Sequence, residues 1–209
     1  IDSFTKRNEI KKLPETVDGY TIKVFDDPEQ LDLEITEKAK KTDSALSRLI
    51  ATYDWEYSSK AKRRFRKYWE VEIGAWHKPW NRELKSELSQ KEKRQIKDLA
   101  WAEQPQTINE VGSTFTIQGF DLNYAGVILG PSVKYRNGKV IYDPEKSCND
   151  KAIQNRTLSD GSKQKFGEIL IQHAVRVLMT RGVNGMFIYA CDDELREALK
   201  RATQRGETK

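Results

Sequence analysis

Cysteine, histidine and long apolar runs are scarce in this sequence. Of 209 residues only two are Cys (Cys148 and Cys191) and only two are His (His77 and His173). Residues so few and so scattered build neither a disulfide scaffold nor a metal site, so we expect no bound metal and a reducing, cytoplasmic compartment. Because no run of about 18 apolar residues occurs and the first residues are too charged for a signal peptide, we expect a soluble protein without a membrane contact.

Motifs for several enzyme classes are missing as well. The phosphate-binding loop pattern G-x-x-x-x-G-K-[ST] occurs nowhere. No Ser or Cys stands in a recognisable nucleophile setting, and no carboxylates cluster at the spacing that the metal ions of a nuclease require. The sequence therefore lacks a complete catalytic centre of any of these kinds.

The composition is that of a folded domain with a basic surface. Hydrophobic residues make up 37% and charged residues 33% of the chain, and the net charge is +5. This length suits one domain, and the charge mildly favours polyanionic partners. Because the chain begins at Ile1 without an initiator Met, we expect it to be a fragment of a longer polypeptide.

Segments with strand and helix periodicity alternate along the chain. We expect 1–19 to be an irregular lead-in and 58–106 to be a basic insertion of helix and strand on the core, including a helical segment at 82–101. The remaining predicted elements are strands at 20–27, 47–53, 113–117, 124–129 and 185–191, a hairpin at 134–143 turning at Asn137-Gly138, and helices at 28–42, 162–180 and 192–203. Such alternation predicts a single α/β domain with a mostly parallel sheet.

The stretch STFTIQGFDLNYAGVILG (113–130) places a polar turn between two predicted strands. Open α/β sheets bind ligands beyond the carboxyl ends of their strands. In that setting Thr116 and Gln118 would contact a phosphate or a water, Gly119 would let the backbone approach a ligand, and Asp121 would accept a hydrogen bond from a ribose hydroxyl. The alternative is an ordinary surface turn.

Two charged groups flank the last predicted strand. Arg181 ends the long amphipathic helix, where it either presents a fixed planar cation to a phosphoryl group or only complements the helix dipole. After the strand, the segment MFIYACDDE resembles a Walker B magnesium site. In the other interpretation, Asp192 or Asp193 caps the following helix.

A basic run interleaved with aromatic residues lies inside the predicted insertion. Its cations are Lys60, Lys62, Arg63, Arg64, Arg66 and Lys67, and its aromatic neighbours are Phe65, Tyr68, Trp69, Trp76 and Trp80. This pattern is typical of a surface that follows a nucleic-acid backbone and stacks its bases. It also fits a solvated basic face whose aromatic side chains turn inward.

Several long segments resemble the Schlafen group III helicase-like family. The likeness is carried in order by VFDDPEQL, RLIATYDWEYSSK, HKPWN, EVGSTFTIQGFDLNYAGVILG, VKYRNGKVIYDP and LMTRGVNGMFIYACDDELREAL. This resemblance implies a three-layer RecA-like domain, similar to the second motor lobe of superfamily 1 helicases. ATP and Mg²⁺ would bind in the full-length protein between this lobe and a first lobe of the same polypeptide, and DNA or RNA would be the track.

The resemblance also implies roles for single residues. TIQGFD is similar to helicase motif V, in which Thr116, Gln118 and Gly119 would couple nucleotide to nucleic acid and Asp121 would contact the ribose. LMTRG is similar to motif VI, so Arg181 would be the arginine finger, with Thr180 beside the nucleotide. The sequence departs from the family pattern at two positions. Phe115 stands where the family commonly has His, and Asp121 stands where it commonly has Glu, whose side chain is one methylene longer.

Two functions follow as expectations. The first is the second lobe of a helicase-type ATPase that is inactive in isolation, because the phosphate cradle and the Mg²⁺ ligands lie elsewhere. The alternative is a non-catalytic nucleic-acid-binding module that uses the basic run.

Overall fold

The computed structural model describes residues 1–12, 16–41, 46–59 and 66–203. The strands are β1 Thr16–Val17, β2 Tyr20–Val24, β3 Ser47–Ala51, β4 Glu70–Ile73, β5 Trp76–Pro79, β6 Val111–Gly112, β7 Leu122–Leu129, β8 Val133–Arg136, β9 Lys139–Tyr142, β10 Asn155–Thr157, β11 Lys163–Lys165 and β12 Gly182–Ala190. The α-helices are α1 Asp2–Lys6, α2 Pro28–Lys41, α3 Gln90–Gln95, α4 Asp150–Ile153, α5 Gly167–Met179 and α6 Asp193–Thr203.

A six-stranded sheet in the order β1-β2-β12-β7-β3-β6 forms the middle layer. Strand β1 runs antiparallel to β2, and the other neighbours are parallel. One apolar cluster joins α2 and the β4–β5 hairpin to one face of the sheet, and a second joins α1, α5 and α6 to the other. This three-layer α/β arrangement confirms the predicted fold class and is consistent with a RecA-like domain.

Local sequence signals explain why the main elements form where they do. The Asp27 carboxylate accepts from the Glu29 amide at 2.8 Å, which caps α2 just before Pro28 at its first position. The predicted β8–β9 hairpin is confirmed, and it turns at Asn137 and Gly138, both of which have positive φ. Helix α5 buries an apolar stripe that includes Ile171, Val175 and Leu178.

Three predicted segments differ from the structure. The lead-in is not wholly irregular, because α1 packs Phe4 into the core and β1 joins the sheet. The helical segment at 82–101 is reduced to a 3₁₀ turn and the short α3, which begins at a capping box between Ser89 and Glu92.

The predicted strand at 113–117 is instead a turn. The strand in this part of the chain, β6, ends at Gly112. The Thr116 hydroxyl then bonds the main chain of Ser113, accepting from its amide at 2.8 Å and donating to its carbonyl oxygen at 2.9 Å. A hydroxyl used in this way favours a turn over an extended strand. Ile117 is fully buried beneath this turn.

The parallel strands give the sheet two chemically distinct ends. At the carboxyl ends of β3 and β7 lie Thr52, Asp54 and Gly130; at the amino ends of β7 and β12 lie Asp121 and Arg181. The turn 113–120 begins at the carboxyl end of β6 and finishes at the amino end of β7, so it runs from one end of the sheet to the other.

Candidate functional site

Arg181 is fixed at the junction between α5 and β12. Its Nε donates to the Val177 carbonyl oxygen at 3.0 Å, and its Nη1 donates to the Phe120 carbonyl oxygen at 3.3 Å. Its own carbonyl oxygen accepts from the Leu122 amide at 2.8 Å. The side chain is 21% exposed. Main-chain groups from the helix and from the 113–120 turn therefore position the guanidinium at the surface.

Asp121 lies directly beside this guanidinium. Its Oδ1 is 3.3 Å from Arg181 Nη1, and its side chain is 62% exposed. An exposed carboxylate next to a fixed cation can accept from a ligand hydroxyl, while the cation attracts an anionic group. The structure thus brings together the two charged residues for which the sequence predicts nucleotide contacts.

The other residues predicted for this site differ in whether their polar groups are free to contact a ligand. The Thr116 hydroxyl is occupied by Ser113, and the Thr180 hydroxyl donates to carbonyl oxygens within α5, at 2.9 Å for Arg176. Gln118 is exposed on the turn. Gly119 has φ +71°, and a Cβ there would have no neighbour within 4 Å, so its backbone angle, and not crowding, favours glycine.

The position of this cluster differs from the prediction based on open α/β sheets. That rule placed the turn beyond the carboxyl end of a strand, whereas Asp121 and Arg181 lie at the amino ends of β7 and β12. The cause is the early end of β6, because the residues that mimic a strand belong to the connection that leads into β7. We call this end, formed by 118–121 and 180–181, the amino rim.

Comparisons with known proteins agree with this architecture. The family model of the Schlafen group 3 DNA/RNA helicase domain matches residues 1–192. The chain belongs to this family. It is also 33% identical over 208 residues to an uncharacterized protein of Saccharomyces cerevisiae, a match that covers 98% of this chain and 42% of the yeast protein. The chain therefore spans less than half the length of that relative. No solved structure matches it.

The basic run of this helicase-like domain is only partly described. Lys60, Lys62, Arg63 and Arg64 lie outside the described residues, as does the neighbouring Phe65. Arg66 forms an ion pair with Glu70 at 3.0 Å, and Lys67 forms one with Glu87 at 2.8 Å. The two described cations thus have carboxylate partners on the protein itself.

The aromatic residues near the run are turned inward to different degrees. Trp80 is completely buried, and its ring packs against Tyr53 at 4.9 Å. Trp69 and Trp76 are half-buried, and the Trp76 indole donates to Asp32 at 3.4 Å. Of the two interpretations of this pattern, these side chains fit the one in which the aromatic residues serve the core.

The Walker B-like segment is used for structure in this helicase-like domain. Asp192 caps α6, accepting from the Leu195 amide at 3.0 Å, and it forms a two-pronged pair with Arg136 at 2.9 and 2.7 Å. Burial by itself raises the pKa of the Asp192 carboxyl, but the hydrogen bonds from Arg136, Leu195 and Tyr135 lower it overall. Asp193 is exposed and pairs with Arg196.

A buried carboxylate, Asp54, lies at the opposite end of the sheet, and the sequence analysis predicts no function for it. Asp54 follows β3, is 9% exposed, and accepts through Oδ2 from the Thr52 hydroxyl and the Ser132 amide, both at 2.9 Å. Burial raises the pKa of this carboxyl, against the effect of those hydrogen bonds. Its position in the sequence, an acidic residue just after a buried strand, is the same pattern that predicts a ligand contact for Asp121.

The other features of the described residues point to no further catalytic or metal-binding group. A cavity with a mainly apolar lining lies near Phe4, Tyr20 and Met186, and none of the amino-rim residues lines it. Within the described ranges, no group of three or more His, Cys, Asp and Glu side chains is arranged to hold a metal ion. Every helix among them is too short or too polar to cross a membrane.

Proposed function

We propose that this domain is the second motor lobe of an ATP-dependent helicase or translocase. In this proposal the amino rim faces a nucleotide whose phosphate-binding loop and Mg²⁺ ligands belong to a first lobe of the same polypeptide. The family assignment supports a helicase-related module. The observation that carries the proposal is the way in which the structure holds Arg181.

The base of the Arg181 side chain is fixed, whereas its tip is loosely held. Nε donates to Val177 at 3.0 Å, but the Nη atoms make only longer contacts, at 3.3 Å to Phe120, 3.3 Å to Asp121 and 3.5 Å to Thr180. Strong charge-assisted bonds from a guanidinium are about 2.7–2.9 Å long. A phosphate oxygen would therefore bind the tip more strongly than its present partners do, and the fixed base would keep the cation in place for a developing negative charge.

Asp121 complements this cation. While its carboxylate pairs with Arg181, it holds the tip at the rim, and its 62% exposure leaves acceptor capacity for a ligand. Once the guanidinium turns to phosphate, the carboxylate is free to accept from a ribose hydroxyl. This is the role that the resemblance to motif V implies for Asp121.

In this proposal the domain supplies half of an ATP site. Arg181 would be its cation and Asp121 its acceptor for the ribose, and the described residues contain no cluster of carboxylates for Mg²⁺. Bound Mg²⁺–ATP would supply the phosphoryl group and the metal ion that neutralises its charge. The domain by itself is therefore expected to hydrolyse ATP at a negligible rate.

The decisive experiment replaces Arg181 in the full-length protein. With Arg181→Ala we expect ATP turnover to fall by about 10³-fold or more, the range found for arginine fingers, while nucleotide affinity changes only a few-fold. Arg176→Ala is the matched control, because Arg176 lies in the last turn of the preceding helix α5 and its guanidinium contacts Asp2 and Thr5 instead.

Two results would contradict the proposal. Unchanged turnover in Arg181→Ala would remove Arg181 from the site. Rapid ATP hydrolysis by the isolated domain would show that the catalytic groups do not require another lobe. The alternative, a non-catalytic nucleic-acid-binding module, has less support, because Arg66 and Lys67 pair with the protein's own carboxylates.

A further inference from the structure

A polar β-hairpin stands away from the layers of the domain. Strands β10 and β11 form a two-stranded sheet of their own. Its cross-strand partners are Asn155 and Lys165, Arg156 and Gln164, and Thr157 and Lys163. Every residue from 154 to 165 is exposed. The hairpin therefore projects into solvent and does not pack against the main sheet.

This hairpin adds little to the apolar core. Its one large apolar residue, Leu158 at the tip, is 37% exposed. A lone two-stranded hairpin is marginally stable at best in water. The turn is shaped by local bonds instead, because the Asp160 carboxylate accepts from the Ser162 amide at 2.9 Å and from the Ser162 hydroxyl at 2.7 Å. A role in binding explains such an element better than a role in folding.

The charge of the hairpin is mainly positive. It carries three cations, Arg156, Lys163 and Lys165, and one carboxylate, Asp160. Neither Lys163 nor Lys165 forms an ion pair with another residue that the structure describes. The two described cations of the basic run, by contrast, are paired with carboxylates of the protein. The two hairpin lysines therefore remain available to an anionic partner.

Both lysines lie on one face of the hairpin. Residues directly opposite each other share a face, as do alternate residues of one strand, so Lys163 and Lys165 are accompanied there by Asn155 and Thr157. The Cα atoms of the two lysines are about 7 Å apart at the rise of a β-strand. Lys, Asn and Thr side chains are among the groups with which proteins bind phosphate oxygens.

We propose that this face, formed by Asn155, Thr157, Lys163 and Lys165, binds the phosphate backbone of single-stranded nucleic acid. The inference rests on the proposed function only in requiring that the protein binds nucleic acid. The paired part of the hairpin is about 10 Å long, shorter than the ~12 Å width of a major groove. The face therefore contacts one backbone and does not bridge the two backbones of a duplex.

The hairpin is separate from the amino rim. It leads into the first turn of α5 near Gly167, whereas Arg181 follows the last turn. Because α5 has 13 residues, it is about 20 Å long. The two sites thus lie at opposite ends of this helix, and a strand on the hairpin leaves the rim open to a nucleotide.

The test measures binding of a labelled single strand of mixed sequence, as both DNA and RNA, to the full-length protein without nucleotide. Fluorescence anisotropy over a series of salt concentrations gives the dissociation constants and their dependence on salt. Each lost phosphate contact should reduce the slope of log K against log[salt] by about 0.7. Lys163→Gln/Lys165→Gln should therefore lose about 1.4 in slope and bind about tenfold or more weakly at ~0.1 M salt.

Two further variants distinguish a specific contact from a general loss of charge. Lys40→Gln/Lys41→Gln removes the same charge from exposed lysines of α2 that pair with Glu37, so its slope should stay close to that of the wild type. Lys163→Arg/Lys165→Arg keeps both charges and should retain the affinity.

Several results would overturn the inference. They are the absence of strand binding by the wild type, an unchanged slope in Lys163→Gln/Lys165→Gln, and a loss no greater than that in Lys40→Gln/Lys41→Gln. An equal loss of affinity for a duplex of the same sequence also overturns it, because the face would then bind duplexes. Since these measurements contain no ATP and the turnover test depends on Arg181, either idea can fail alone.

Discussion

The Arg181 guanidinium lies 3.3 Å from the Asp121 carboxylate, and the neighbouring Leu122 amide donates to the Arg181 carbonyl oxygen at 2.8 Å. Two parallel strands, β7 and β12, are thus joined at their amino ends by a main-chain bond and an ion pair. Because the main-chain bond fixes both backbones, the ion pair can open without moving either strand.

Asp121→Asn should weaken nucleotide binding while leaving the free energy of unfolding almost unchanged. The Asp121 side chain is largely exposed, so loss of the ion pair should change the free energy of unfolding by less than about 1 kcal/mol. If Asp121 accepts from the ribose, KM for ATP should rise several-fold while kcat changes less. Steady-state kinetics and urea unfolding measure the two effects, with Asp121→Glu as the variant that keeps the charge. A normal KM in Asp121→Asn would remove Asp121 from the nucleotide site.

Two glycine substitutions should destabilise the domain for different reasons. Gly119→Ala meets open space but must adopt a positive φ, which costs about 1–2 kcal/mol. Gly130→Ala would place its methyl group against Asp54 Oδ2 and Thr52 Oγ1, which costs about 1–3 kcal/mol through overpacking. Chemical denaturation gives both values. Gly119→Asn should recover part of the first loss, since Asn tolerates this conformation; no such recovery would argue against strain as the cause.

Asp192→Asn should weaken the domain in a pH-dependent way. The pKa of Asp192 is lowered in the folded state, so its ionised form adds stability above the unfolded value of about 3.9, and this stability is lost as pH falls through the lower folded value. The wild type should therefore lose its advantage over the variant in acid. Unfolding curves between neutral pH and about pH 2 test this.

Asp193→Asn is the control for that experiment, because the Asp193 side chain is 85% exposed. The free energy of unfolding of Asp193→Asn should change with pH in the same way as that of the wild type. If Asp192→Asn lowered the affinity for magnesium and nucleotide while leaving stability unchanged, the Walker B interpretation would replace the capping role.

Asp54 should show the opposite dependence on pH. Burial raises its pKa in the folded state, so between the unfolded value of about 3.9 and the raised folded value the folded protein binds more protons, and its stability falls as pH rises. Relative to Asp54→Asn, the wild type should lose stability across this window and then level off. Parallel curves for the two proteins would contradict the burial effect.

The regular elements could be predicted because their signals are local. The helical periodicity of α5 and the Asn137-Gly138 turn each lie within a short stretch of sequence, and the structure confirms both elements. The register of the apolar stripe differs from the prediction: Ile169, expected in the stripe, is exposed, and Ile171 and Val175 are buried instead. The strand predicted at 113–117 is wrong because alternating apolar residues there satisfy a different need. Ile117 packs into the core from a turn, and the preference for a strand depends strongly on tertiary context.

The sites are harder to predict because their partners are distant in sequence. The Asp54 carboxylate is bonded by the Ser132 amide, 78 positions away, so no local pattern indicates that Oδ2 is satisfied and Oδ1 is not. The nearness of Arg181 to Asp121 followed only from the resemblance to helicase motifs. The geometry of the loosely held guanidinium tip required coordinates.

The turn 113–120 gives the two ends of the sheet a shared element. Thr114, near its start, lines a small pocket beside Asp54, and the Phe120 carbonyl oxygen, at its end, accepts from Arg181. Because both groups belong to one segment of eight residues, a substitution that displaces Thr114 would also shift the Phe120 carbonyl oxygen. The orientation of the Arg181 guanidinium therefore depends on packing at the opposite end of the sheet.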